Sequence, residues 1–221
     1  MTLTRRRFNS CLVAALGAAT LPAWAPARAE QLVEGRDWRA VSPPQPGDAP
    51  NKIEVLEFFS YGCSHCSHFN PIVKEWAKSL PDDVAFRRVP VTFSRRPWEN
   101  LARFYFALDY MGELERLDQA FFDALHEERK RLFTEEAIFD WAADRGLDRE
   151  KLANAFESFG VHTRLARAEQ LAKTYRITGV PTLTVAGRYV VLGEGAETYG
   201  DLLAIADQLI AKARSEAPAT S

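Results

Sequence analysis

The 221-residue chain has 28 basic and 30 acidic residues, is 47% hydrophobic and contains three cysteines. This near-neutral balance argues against a nucleic-acid partner, and so few cysteines in so long a chain exclude a small domain stapled by disulfides. No segment reaches 18 uncharged apolar residues, the least that a spanning helix needs.

Residues 1–29 read as a cleaved export signal: Thr4-Arg5-Arg6-Arg7-Phe8, an apolar stretch from Cys11 to Leu21, then Ala27-Arg28-Ala29 in the small-x-small form of a signal-peptidase site. The Thr-Arg-Arg-x-Phe order has the form of a twin-arginine signal, although the Lys often found after the Phe is absent, and ordinary Sec export is the other route. Both lead to an oxidising compartment outside the cytoplasm. Cys11 precedes the cleavage site and leaves with the signal, so the mature chain keeps Cys63 and Cys66. Its net charge is −6, since cleavage removes four arginines and no acid.

Residues 30–52 include Pro43-Pro44-Gln45-Pro46-Gly47 and read as an extended leader with little to pack. Val55 to Ser60 is β-rich and apolar on both faces, as in a strand covered on both sides. His68 to Leu80 carries Phe69, Ile72, Val73 and Trp76 at helical spacing, with Pro71 expected to bend the helix early. Val84 to Val91 reads as a second strand, parallel to the first. Residues 97–175 are helical in pattern, with segments starting near Trp98, Glu113, Thr134, Asp148 and Val161 and with Gly112, Gly146 and Gly160 near helix ends. Thr182 to Val185 and Arg188 to Leu192 form a hairpin around Ala186-Gly187, and a last helix runs from Thr198 to about Ala213. The tail from Ser215 to Ser221 is expected to be disordered. The order is β-α-β, a helical block, then β-β-α. It is the order of an α/β thioredoxin fold with an all-helical domain inserted, the thioredoxin-like part covering 53–96 and 176–214 and the insertion 97–175.

Cys63-Ser64-His65-Cys66 stands at the first strand-to-helix junction. Two thiols at this spacing lie on successive turns of one helical face and can cycle between dithiol and disulfide. At a helix start, unpaired N–H groups and the macrodipole favour a thiolate on Cys63, which becomes the nucleophile. Cys66, one turn inside and shielded, is the resolving thiol, and His65 is placed to donate to or attract the Cys63 thiolate. Glu57 shares a strand face with Val55 and Phe59, so its carboxylate points into a buried layer near the cysteines, where it can accept the Cys66 proton. Arg88 has the parity of Val84 and Phe86 and reads either as an inward partner for Glu57 or as an exposed strand-edge cation.

Glu57-Phe58-Phe59-Ser60-Tyr61-Gly62-Cys63-Ser64-His65-Cys66, the helical block and Gly179-Val180-Pro181-Thr182 together resemble the DsbA family of periplasmic thiol:disulfide oxidoreductases, over roughly Ile53 to Ala213. The departure is Ser64, where the best-known members carry Pro. The resemblance implies an oxidase that passes the Cys63–Cys66 disulfide to newly exported proteins and needs no cofactor. It implies a proton-accepting Glu57, a His65 that makes the pair oxidising, and a cis Pro181 facing the cysteines, with the Val180 backbone free to bind an extended substrate. It further implies a monomer reoxidised by a DsbB-like membrane quinone reductase. Alternatives are a disulfide isomerase or reductase, and a periplasmic chaperone that binds clients without net oxidation.

Zinc is the structural alternative for Cys63, Cys66 and His68, but neither a second Cys-x-x-Cys nor a His-x-His follows, so no metal is expected. A purely structural disulfide across two residues would close almost no loop entropy. His126 and His162 sit among charged helix residues and read as solvated. Phe104, Phe106, Phe121, Phe122, Phe139, Trp141, Phe156 and Phe159 recur at helical spacing and read as core.

Overall fold

The computed structural model describes residues 31–216; the expected signal at 1–29, with Cys11, and residues 217–221 lie outside the described residues. Five strands, β1 (Trp38–Ala40), β2 (Ile53–Phe59), β3 (Val84–Pro90), β4 (Thr182–Val185) and β5 (Tyr189–Val191), form one mixed sheet in the order β1-β5-β4-β2-β3. The helix α1 (Ser64–Lys78) crosses from β2 to the parallel β3. Five helices follow before β4: α2 (Arg96–Met111), α3 (Leu114–His126), α4 (Glu135–Ala143), α5 (Arg149–Phe156) and α6 (Phe159–Thr174). The closing α7 (Tyr199–Ser215) follows β5.

The β2 sequence Ile-Glu-Val-Leu-Glu-Phe-Phe explains its central place: from Glu54 onward every residue is buried, which only a strand covered on both faces achieves. Val55 packs with Phe69 and Val73 of α1 and with Leu203 and Leu209 of α7. Leu56 and Phe58 belong instead to the larger core shared with the inserted helices. Full burial of one such side chain contributes about 1.5–3 kcal/mol, so β2 anchors both layers. The parallel register sets Glu57 opposite Arg88, a pairing on which the site depends.

Helix ends follow local chemistry. Thr198 and Asp201 form a reciprocal capping box at the start of α7, Asp148 and Ser158 cap α5 and α6, and Gly112 ends α2 in the left-handed region at φ 74°. Gly160 falls in the first turn of α6, close to its start.

Four expectations need correction. The leader contributes an edge strand, because β1 pairs antiparallel with β5 and has side chains to bury. Trp38 sets its ring edge-on to Tyr189 at 5.1 Å, Val41 is buried, and buried Asp37 accepts from the Val33 N–H. Pro71 lies inside an α1 that runs from Ser64 to Lys78, four residues longer at its start than the apolar spacing predicts, because Cys63 in extended conformation is the N-cap. Phe159 is 86% exposed: it opens α6 immediately after the Ser158 cap and turns away from the core. At the other end, α7 includes Ser215, and Glu216 accepts from Lys212, so the expected disordered tail begins too early.

Candidate active site

Cys63 occupies the N-cap of α1 with φ −106° and ψ 118°, and no side-chain oxygen caps the helix in its place. The free N–H groups of the first turn therefore face the sulfur. Cys63 and Cys66 are both free thiols, the first half-buried and the second with no exposed surface. A hydrogen bond from the Cys66 thiol, reinforced by the backbone N–H groups of Cys66 and His65 and by the His65 side chain, lowers the Cys63 pKa from 9.0 to about 6 against the opposing effect of burial. Burial, together with the bond and the negative charge that Cys63 presents, pushes Cys66 far up, and the Glu57 charge adds to this. The two thiols thus separate into one that ionises near neutrality and one that keeps its proton.

The Val180–Pro181 peptide is cis, and the Cys63 Sγ lies 3.4 Å from the Val180 carbonyl oxygen. Exposed His65 sets Nδ1 3.3 Å from the Tyr199 hydroxyl, which donates to the His65 carbonyl at 3.2 Å. Beside it a cleft of about 510 Å³ is lined by His65, Ile72, Tyr199 and Leu202 among others. Behind Cys63, Gly62 packs so closely on Trp98 that a Cβ there would stand 2.7 Å from the indole nitrogen.

Beneath the cysteines lies a buried charge cluster. Arg88 Nε donates to Glu57 Oε2 at 2.7 Å, and its Nη1 donates to both oxygens of Asp118 at 3.0 Å. Arg88 is therefore the inward partner rather than a strand-edge cation, its side chain only 8% exposed. Its guanidinium also lies 3.9 Å over the Phe59 ring. Asp118 accepts in addition from the Tyr61 hydroxyl at 2.8 Å, Asn70 Nδ2 at 2.8 Å and Lys74 Nζ at 3.4 Å. Burial raises the Glu57 pKa, Arg88 opposes it and the Asp118 charge adds to the rise.

A DSBA-like thioredoxin domain model matches residues 54–203. The thiol:disulfide interchange protein DsbA of Bordetella pertussis is 42% identical over 202 residues, covering 91% of this chain and 94% of that protein. DsbA of Pseudomonas aeruginosa is 37% identical over 209 residues, covering 95% and 98%. The chain belongs to the DsbA family. Among solved structures, DsbA of P. aeruginosa matches with a TM-score of 0.79 and 38% identity, covering 83% of this chain and 95% of that one. DsbA of Xylella fastidiosa matches at 0.76 and 31%, covering 83% and 98%. The fold is thus the thioredoxin fold with a helical insertion, as the order of elements implied.

Of the DsbA-type site residues expected from sequence, Cys63, Cys66, His65, Val180 and Pro181 meet at one end of the sheet, with Glu57 below them. Asp118 had not been singled out. It falls on the apolar stripe of α3, four residues after Leu114 and three before Phe121, and a carboxylate on such a stripe is the signal that could have found it. His126 is not solvated as expected: it is half-buried, with Nε2 2.7 Å from the Tyr61 carbonyl oxygen, because α3 docks against the redox loop. His162 and His68 are exposed.

Proposed function

We propose that this DsbA-family thiol:disulfide oxidoreductase is a net oxidant of newly exported proteins in the periplasm. The observation that carries the reading is the division of the pair into an accessible Cys63 with a pKa of about 6 and a buried Cys66 far above its ordinary value. In the oxidising direction a client thiolate attacks Cys63 Sγ. The Cys63–Cys66 bond breaks, and its electron pair passes to Cys66, which takes a proton from the Glu57 carboxyl; Glu57 accepts that proton back in the reverse step, when Cys66 attacks to reform the disulfide. A second client thiolate then attacks the client sulfur of the mixed disulfide and releases Cys63 as a thiolate, a good leaving group because its pKa is low. The client loses two electrons and the protein gains them.

His65 and the helix start favour the Cys63 thiolate, while the backbone at Val180 and Pro181 receives the extended client. The apolar cleft beside His65 supports the docking of a client segment or of a DsbB-like quinone reductase that removes the two electrons. The N-terminal sequence supports export. Among the described residues no helix is long and apolar enough to cross a membrane. The protein acts as a monomer in this scheme and needs no cofactor.

The deciding experiment is the reduction potential, measured by equilibration with glutathione buffers. The strong-oxidant benchmark of about −120 mV is that of DsbA itself and is not a result from this chain. A value of about −120 to −160 mV supports an oxidant, whereas one near −270 mV overturns the reading in favour of a reductant.

A further inference from the structure

We propose that Asp118 is a positioning residue for the redox reaction: by holding Arg88 from the side opposite Glu57, it keeps the Glu57 carboxyl able to carry the proton that Cys66 takes up. Arg88 is divided between two carboxylates. Asp118 takes Nη1 with both of its oxygens, leaving Glu57 one bond through Nε. Glu57 Oε1 is buried and has no hydrogen-bond partner, so one oxygen of this acid is left to hold a proton. Asp118 is itself fixed by donors from the redox loop and from α1, Tyr61 at 2.8 Å, Asn70 at 2.8 Å and Lys74 at 3.4 Å. These satisfy an ionised carboxylate, whose charge is nearly inaccessible to water.

The groups that act on Glu57 are Arg88 from β3, Asp118 from α3, and Cys66 from α1, with Lys74 acting through Asp118. Tyr61 and Tyr105 are buried, and both stay protonated near neutral pH. Without the Asp118 charge the full attraction of Arg88 would fall on Glu57 and draw its proton off at lower pH. Cys66 would then leave Cys63 as a thiolate with no proton at hand in a site that penalises its charge.

The inference rests on the role proposed for Glu57, and the test separates the two. The rate at which a small dithiol reduces the oxidised protein would be followed against pH for the wild type, E57Q, D118N and the double variant, each checked for folding by circular dichroism. The limb assigned to Glu57 is expected to move down by roughly one pH unit in D118N and to be absent from E57Q and from the double variant. If E57Q keeps the limb, the Glu57 role itself fails. If E57Q loses it but D118N lowers the rate equally at every pH, only the Asp118 inference fails. Should D118N not fold, Lys74→Met gives the opposite sign: less compensation of Asp118 moves the limb up, and no movement overturns the inference.

Discussion

The Cys63 Sγ and the Val180 carbonyl oxygen stand 3.4 Å apart although 117 residues separate them in the chain. The carbonyl accepts from the thiol, so it favours the protonated form, and the lowering of the Cys63 pKa to about 6 must come from the other side, from Cys66 and the helix start.

A ranking of variants follows from those causes. The Cys66 hydrogen bond is the largest of them, and the His65 side chain acts only through its charge, since the His65 backbone N–H survives truncation. Cys66→Ala is expected to raise the Cys63 pKa more than His65→Ala does, as followed by thiolate absorbance. The reverse order would mean that the imidazole, not the second thiol, controls the nucleophile.

The stability of the dithiol form should depend on pH through the same group. Because Cys63 ionises at about 6 when folded and near 9.0 when unfolded, its contribution is complete above pH 9 and is lost as pH falls through about 6. Allowing for screening at this half-exposed site, urea unfolding should show about 1–2 kcal/mol more stability at pH 8 than at pH 5 relative to Cys63→Ser. In the wild-type curve itself stability declines above pH 9, because burial holds the proton on Cys66 in the folded chain while the unfolded chain releases it. A wild-type curve parallel to that of the serine variant would sink this account.

Arg88→Met should be among the most damaging single changes. It strands Glu57 and Asp118 as buried carboxylates without their shared cation, a loss of about 3–5 kcal/mol. The damage should shrink on acidification as the carboxylates protonate, and Glu57→Gln combined with Arg88→Met should recover part of it. Denaturant midpoints at two pH values would check both statements.

Gly62→Ala tests the close approach to Trp98. Its Cβ would lie 2.7 Å from the indole nitrogen and 3.3 Å from Leu101, so the half-buried ring must move. We expect about 1–3 kcal/mol of destabilisation, largely recovered in Gly62→Ala with Trp98→Leu. A single variant as stable as wild type would show that the ring yields freely.

β2 is readable as an apolar run buried on both faces, and β3, the hairpin and the helices from the spacing of the face each buries or from their turn and cap residues. β1 escaped because three residues beside a proline-rich run carry no period, and their partner β5 lies some 150 residues away. The cysteine pair was legible as a local motif, and Glu57 by strand parity. Arg88 was half-legible, since parity gives a face but not a partner 31 residues off. Asp118 shows as a carboxylate on the apolar stripe of α3, but its partner Tyr61 and the contact of His126 with Tyr61 arise where α3 meets the redox loop, and neither separation leaves a local pattern.

Unfolded chains, the clients proposed here, are segments in search of a sheet edge, and this sheet offers them little. At one border β1 is three residues long; at the other β3 carries the partly exposed Arg87 and ends in Pro90, which has no N–H to give. If its clients are the unfolded chains proposed above, borders this poor in pairing groups leave the short stretch beside Cys63 as the place where a client backbone can pair.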